Sequence, residues 1–195
     1  MKKLTMDDLL PIATYELGRD AYRRDVMRHK RPRRINLGPD VAVTFEDRTT
    51  MTFQIQEMMR AETMTEQAPI EAELAVYNSL LPEPGQLSAT LFIEITQEEQ
   101  IKELLQRFIG LTEGNRLWLE AGGQRSYGQF EQGRSTDDQI SSVHYVTFAI
   151  APEMATALED PRAEVSLNIA IGDYRYEKVL PAPTRQSLLR DLMPD

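Results

Sequence analysis

Leu87-Ser88-Ala89-Thr90-Leu91-Phe92-Ile93-Glu94-Ile95-Thr96 alternates strictly, with Leu87, Ala89, Leu91, Ile93 and Ile95 on one face and Ser88, Thr90, Phe92, Glu94 and Thr96 on the other. Successive strand side chains point to opposite faces, so this period of two predicts a half-buried β-strand. Thr96 followed three residues later by Glu99 is a capping-box pattern. Ile101, Leu104, Leu105 and Phe108 then recur at helical spacing, and Gly110 supplies a C-terminal stop. A strand that ends near Thr96 and feeds directly into a helix is therefore expected.

Upstream of this unit the pattern is mainly helical. Ile12, Tyr15, Arg19, Tyr22 and Val26 recur at steps of three and four, which predicts a helix over 12–30 that stops before Pro32. Gly38-Pro39-Asp40 turns into an alternating strand over Val41 to Phe45. Thr49 or Thr50 is the expected N-cap of a second helix, with Met51, Ile55, Met58, Met59 and Glu62 along one stripe. Pro69 suits the first turn of a third helix, in which Ile70, Glu73, Leu74, Tyr77 and Leu81 share a face.

Downstream, short strands are expected near 115–121, 125–131, 142–150, 163–171 and 174–180, with Gly172-Asp173 as a two-residue hairpin signal. A helical turn after Pro152 and a C-terminal helix over 184–193 complete the reading. The polar stretch Gln132 to Gln139 lacks periodicity and is expected to be a mobile loop. Helices concentrated in the N-terminal half and a strand-rich 115–180 argue for an α+β fold: one domain over 1–195, a mostly antiparallel sheet with helices packed on it.

Composition narrows the chemistry. The chain has 195 residues, 41% of them apolar, enough for one sizeable core. Acidic residues outnumber basic ones by 31 to 22, and the net charge of −9 disfavours nucleic acid and anionic lipid except at a local patch. No apolar run is long enough to span a bilayer, and Lys2-Lys3 leads into Met6-Asp7-Asp8 rather than a signal-peptide core, so no membrane insertion and a cytoplasmic location are expected. The absence of cysteine removes disulfides, thiolate nucleophiles and any iron–sulfur cluster ligated by cysteine of this chain. Nucleotide-binding glycine motifs, G-x-S-x-G and H-E-x-x-H are also missing. Gly122-Gly123 and Gly128 read as hairpin geometry rather than a phosphate cradle.

Four constellations remain. In the second helix Glu57 and Arg60 are three apart and can pair, while Gln54, Met58 and Glu62 follow a four-residue step. Glu62 and Glu73 sit on apolar stripes; if they converge with Glu57 and Glu94, the buried carboxylates need an arginine or a hard divalent metal. His144 shares a strand face with Val146, Phe148 and Ile150. That placement suits a core histidine, and it also allows an acid/base role, or a metal site formed with Glu62, Glu73 and Glu94.

The third constellation is a run of eight cations from Arg19 to Arg34, including Arg23, Arg24, Arg28, Arg31, Arg33 and Arg34, against only Asp20 and Asp25. Outside that run 14 basic and 29 acidic residues leave −15, so acidic elements of the same chain, of a second subunit or of an anionic ligand should meet it. The fourth is the aromatic set Trp118, Tyr127, Phe130, Tyr145, Phe148, Tyr174 and Tyr176, read as core packing and cross-strand pairing.

Several stretches also carry a resemblance: R-P-R-R-I-N-L-G from Arg31, F-E-D-R-T at 45–49, Q-I-Q-E-M-M-R-A-E at 54–62, E-L-A-V-Y-N at 73–78, S-A-T-L-F-I-E-I at 88–95, S-S-V-H-Y at 141–145 and S-L-L-R-D-L at 187–192. Together they resemble the bacterial domain of unknown function 3501 family. The resemblance implies a setting near iron or peroxide chemistry, beside rubrerythrin-like and iron–sulfur oxidoreductase proteins, and it transfers no catalytic residue.

Three functions are therefore expected in order: an accessory or binding protein of a redox- or metal-linked system, acting with a redox-protein partner or by self-association; a carboxylate-based, divalent-metal enzyme with His144 as acid/base; and an anion- or RNA-binding module using 19–34.

Overall fold

The structure is a computed structural model that describes residues 1–94, 101–131, 133 and 140–193, with only the backbone at 101 and 102. Thr96 and Glu99 lie outside the described residues, as does the 132–139 stretch apart from Gly133. The fold is α+β. Its strands form two antiparallel sheets rather than the single sheet expected from the sequence.

The first sheet takes the order β1 (Arg34–Asn36), β2 (Val41–Glu46), β3 (Gln86–Ile93), β7 (Val143–Ala149), β6 (Gln129–Phe130). The second takes the order β5 (Gln124–Tyr127), β4 (Leu117–Ala121), β8 (Val165–Ile171), β9 (Tyr174–Val179). Alternation decides the inner faces. Val43, Phe45, Leu87, Leu91, Val146 and Phe148 of one sheet share a buried cluster with Leu117, Leu119, Leu167 and Ile169 of the other. The two sheets thus sandwich one core.

Gly128 joins them. It separates β5 from β6, so the chain leaves one sheet and enters the other at that residue. A Cβ there would lie 2.7 Å from Val146 and 3.3 Å from Leu117 and Phe148, so only glycine allows the strand to pass this close to the core. Gly128 is therefore a sheet-switch position and not a hairpin residue. Gly122-Gly123, both at positive φ, do form the expected β4–β5 turn.

Three helices cover the outer face of the first sheet: α1 (Ile12–Lys30), α2 (Arg48–Ala61) and α3 (Gln67–Ser79). Their second core comprises Leu4, Met51, Ile55, Met59, Ile70 and Leu74, and Tyr145 from the sheet packs against it. This layer explains why β2 is buried along its whole length. The N-terminal strap is fastened across the layer by two carboxamides that each mimic a backbone partner. Asn78 accepts from the Leu4 N–H at 2.7 Å and donates to the Leu4 carbonyl at 2.9 Å. Gln56 does the same at Leu10.

The helices are less concentrated in the first half than the sequence suggests. α4 (Ile101–Gln106), α5 (Pro152–Glu159) and α6 (Ala182–Leu192) belong to the second half, and Leu158 and Leu188 carry α5 and α6 into the main core. Asp47, not Thr49 or Thr50, caps α2: its carboxylate accepts from the Thr50 N–H at 3.0 Å, and Thr50 Oγ1 accepts from the Asp47 N–H at 2.8 Å.

Candidate functional site

The sequence-predicted carboxylate cluster separates into distinct places. Glu57 faces α1, where Arg19 donates to both of its oxygens at 2.8 and 2.6 Å and the Tyr15 hydroxyl donates at 2.6 Å. The Arg19 hydrogen bonds lead the causes that push its carboxyl down to about 2, and Tyr15 adds to them against the opposing effect of burial. Arg60 pairs with Glu16 of α1 instead of Glu57, and its side chain is 39% exposed. The expected i, i+3 pair is replaced because α1 lies close enough to offer each residue an opposite charge across the helix interface.

Glu94 meets Arg34, whose guanidinium also stacks over Phe92. His144 pairs across strands with Leu91, so both point into the core, whereas Glu94, three residues beyond Leu91, falls on the opposite face. His144 is 1% exposed, lies edge-on to Phe130 and places Nε2 2.7 Å from the Ser141 carbonyl. Glu62 is exposed at the C-cap of α2, where the helical stripe ends, and Glu73 is half-buried on α3. These two do share a neighbourhood. Burial raises the Tyr77 phenol first, and the charges of Glu73, Glu46 and Glu62, together with Tyr145, raise it further. Among the described residues no three His, Asp or Glu side chains gather in a way that could hold a metal ion. The proposed metal set Glu62, Glu73, Glu94 and His144 accordingly does not converge.

The most deeply built polar site involves residues that the sequence reading assigned elsewhere. Arg33 is 1% exposed. It donates to the Phe45 carbonyl at 2.9 Å, to Ser187 Oγ at 2.8 Å and to Asp191 at 2.5 Å, and it lies 3.2 Å from Asp47. His29 places Nε2 2.6 Å from the same Asp47 carboxylate. Burial works to raise the Asp47 carboxyl, but the His29 hydrogen bond, the Arg33 charge and the Thr50 amide together hold it below its ordinary value. Burial dominates at Asp191 and pushes that carboxyl up, although Arg33 opposes it. The end of α1, the start of α2 and α6 are tied at this point. Sequence offered one signal, because R-P-R-R, F-E-D-R-T and S-L-L-R-D-L supply Arg33, Asp47 and Asp191 and also carry the family resemblance. A second buried carboxylate escaped the reading: Glu46, 1% exposed, accepts from Thr90 Oγ1 at 2.8 Å, and its other oxygen has no hydrogen-bond partner among the described residues.

The cationic run is thus divided. Arg19, Arg33 and Arg34 have acidic partners inside the fold, and Arg28 pairs with Asp25 on the surface at 3.1 Å. Arg23, Arg24 and Arg31 are exposed and have no acidic partner among the described residues. Leu17, Arg24 and Arg28 follow helical steps on the side of α1 opposite buried Tyr15 and Val26, and Leu17 is 92% exposed. Of the aromatic set, Phe130, Phe148 and Tyr174 are buried, while Trp118 and Tyr127 pair across strands on the outer face of the second sheet, with Arg125 over the indole.

No helix among the described residues is long and apolar enough to cross a membrane. A crystal structure of a novel protein of unknown function from Burkholderia pseudomallei has the same fold, with a TM-score of 0.90, 30% identity, and coverage of 98% of this chain and 100% of that one. Comparison with curated proteins finds no match. The family described as "Protein of unknown function (DUF3501)" matches residues 3–192, so the chain belongs to that family.

Proposed function

We propose that this chain is an accessory, binding protein that docks on an acidic protein partner through the exposed face of α1 and the turn after it. The observation that carries this reading is the set Arg23, Arg24 and Arg31, three surface cations without internal counter-charges on a chain of net −9. Like charges held close together repel unless something compensates them, and a cationic surface accelerates and orients encounter with an acidic one. Leu17 and Met27 add apolar area to the same helix, as interface cores require. The redox- or metal-linked setting implied by the resemblance fits this role, because the partner would carry the redox centre that a cysteine-free chain does not ligate through thiolates.

A labelled acidic peptide, titrated with the protein and followed by fluorescence anisotropy across a salt series, tests this directly. Wild type should bind with an affinity that falls steeply with salt, and Arg23→Glu/Arg24→Glu/Arg31→Glu should not bind. No binding by wild type at low salt, or equal binding by the variant, would contradict the proposal.

A further inference from the structure

The two sheets each leave an edge strand on the same side, β1 in the first and β9 in the second. One end of the seam between these edges is closed. There the Tyr174 hydroxyl donates to the Leu37 carbonyl at 2.5 Å and accepts from the Asp40 N–H at 3.1 Å. Elsewhere the edges frame an open cleft of about 580 Å³, with Ile35 and three prolines, Pro32, Pro181 and Pro183, among its lining residues. Arg31, Arg34 and Lys178 also line it, and among the described residues no acidic one does.

The volume lies in the range of small-molecule sites. Pockets for small molecules typically measure ~300–1,000 Å³ and combine apolar walls with a few polar groups that fix orientation. The charges here are unequal. Arg34 is already engaged by Glu94 and by Thr44. Arg31 and Lys178 are exposed and have no acidic partner among the described residues, so an incoming anion would supply the counter-charge they lack. Both stand on long flexible stems and can close on an anionic head whose apolar body rests on the prolines.

We propose that this cleft binds a small organic anion, a carboxylate or phosphate head joined to an apolar body. The proposal goes beyond the partner-binding role: Arg31 and Pro32 border both surfaces, but Lys178, Pro181 and Pro183 take no part in the docking face. Octanoate serves as the probe, measured by calorimetry, with acetate and octanol as probes for each half of the ligand. Wild type should bind one octanoate per chain at physiological salt, with shifts in the amide resonances of Ile35 and Thr184. Arg31→Glu and Lys178→Glu should each weaken binding about tenfold or more. Arg23→Glu/Arg24→Glu should leave it unchanged, although it weakens binding of the acidic peptide, and this separates the two proposals. Absence of saturable binding would overturn the inference. So would octanoate binding that survives both cleft reversals, or acetate or octanol binding as tightly as octanoate.

Discussion

Arg33 and Arg34 are neighbours in sequence with opposite fates. Arg33 turns inward against Asp47 and Asp191, while the Arg34 side chain is 40% exposed beside Glu94. Removing one partner from a buried ion pair leaves an uncompensated charge, so Arg33→Ala should destabilise the fold by about 3–5 kcal/mol in urea unfolding. Arg60→Ala should cost only about 0–1 kcal/mol, because its pair with Glu16 is solvated. Glu57 yields a pH prediction. Its folded-state pKa is lowered from 4.5 to about 2, so its contribution is fully present above 4.5 and is lost as pH falls through about 2. Glu57→Gln should therefore lower stability by about 1–2 kcal/mol at pH 7, and the gap to wild type should close between pH 4.5 and 2. The charged residues themselves were legible in the sequence, but their partners were not. Arg19 reaches Glu57 across an interface between helices, and Asp191 meets Arg33 from the far end of the chain, so local spacing carried no trace of either pairing.

Strands were the most readable elements. Sequence pattern and turn signals placed β4, β7, β8 and β9 to within about two residues; β4 and β7 alternate buried and partly exposed positions as expected, whereas β8 is buried almost throughout and β9 is exposed beyond Tyr174. Alternation also put His144 on the inward face, where the structure has it. The division of those strands between two sheets was not visible, since it turns on one residue at which the chain bends. Gly128→Ala should destabilise the protein by about 1–3 kcal/mol, as Val146, Leu117 and Phe148 would have to move aside for the new methyl group. Thermal unfolding monitored by circular dichroism would measure the loss. The strap gives a second test at this scale. Asn78→Ala removes both hydrogen bonds to Leu4, and residues 1–10 should then be cleaved faster under limited proteolysis while the sandwich stays intact.

Across the whole molecule the fold sorts charge. The sequence showed eight cations within 19–34 on an otherwise acidic chain, and the fold neutralises some of them internally while leaving Arg23, Arg24 and Arg31 on the surface. Which cations would be consumed could not be read beforehand, because α6 and β3 reach the run only in three dimensions. The carboxylates are divided for the same reason: Glu62 and Glu73 stay near Tyr77, while helix packing turns Glu57 to Arg19 and strand parity sets Glu94 on the face opposite His144. The most direct measurement is cross-linking of tagged wild-type protein in extract from its own cells, with mass spectrometry to locate the contact. An acidic partner should be linked through Lys30, the amine at the end of α1, and released by salt and by Arg23→Glu/Arg24→Glu/Arg31→Glu. A specific partner that links elsewhere and remains bound to the variant would contradict the proposed docking.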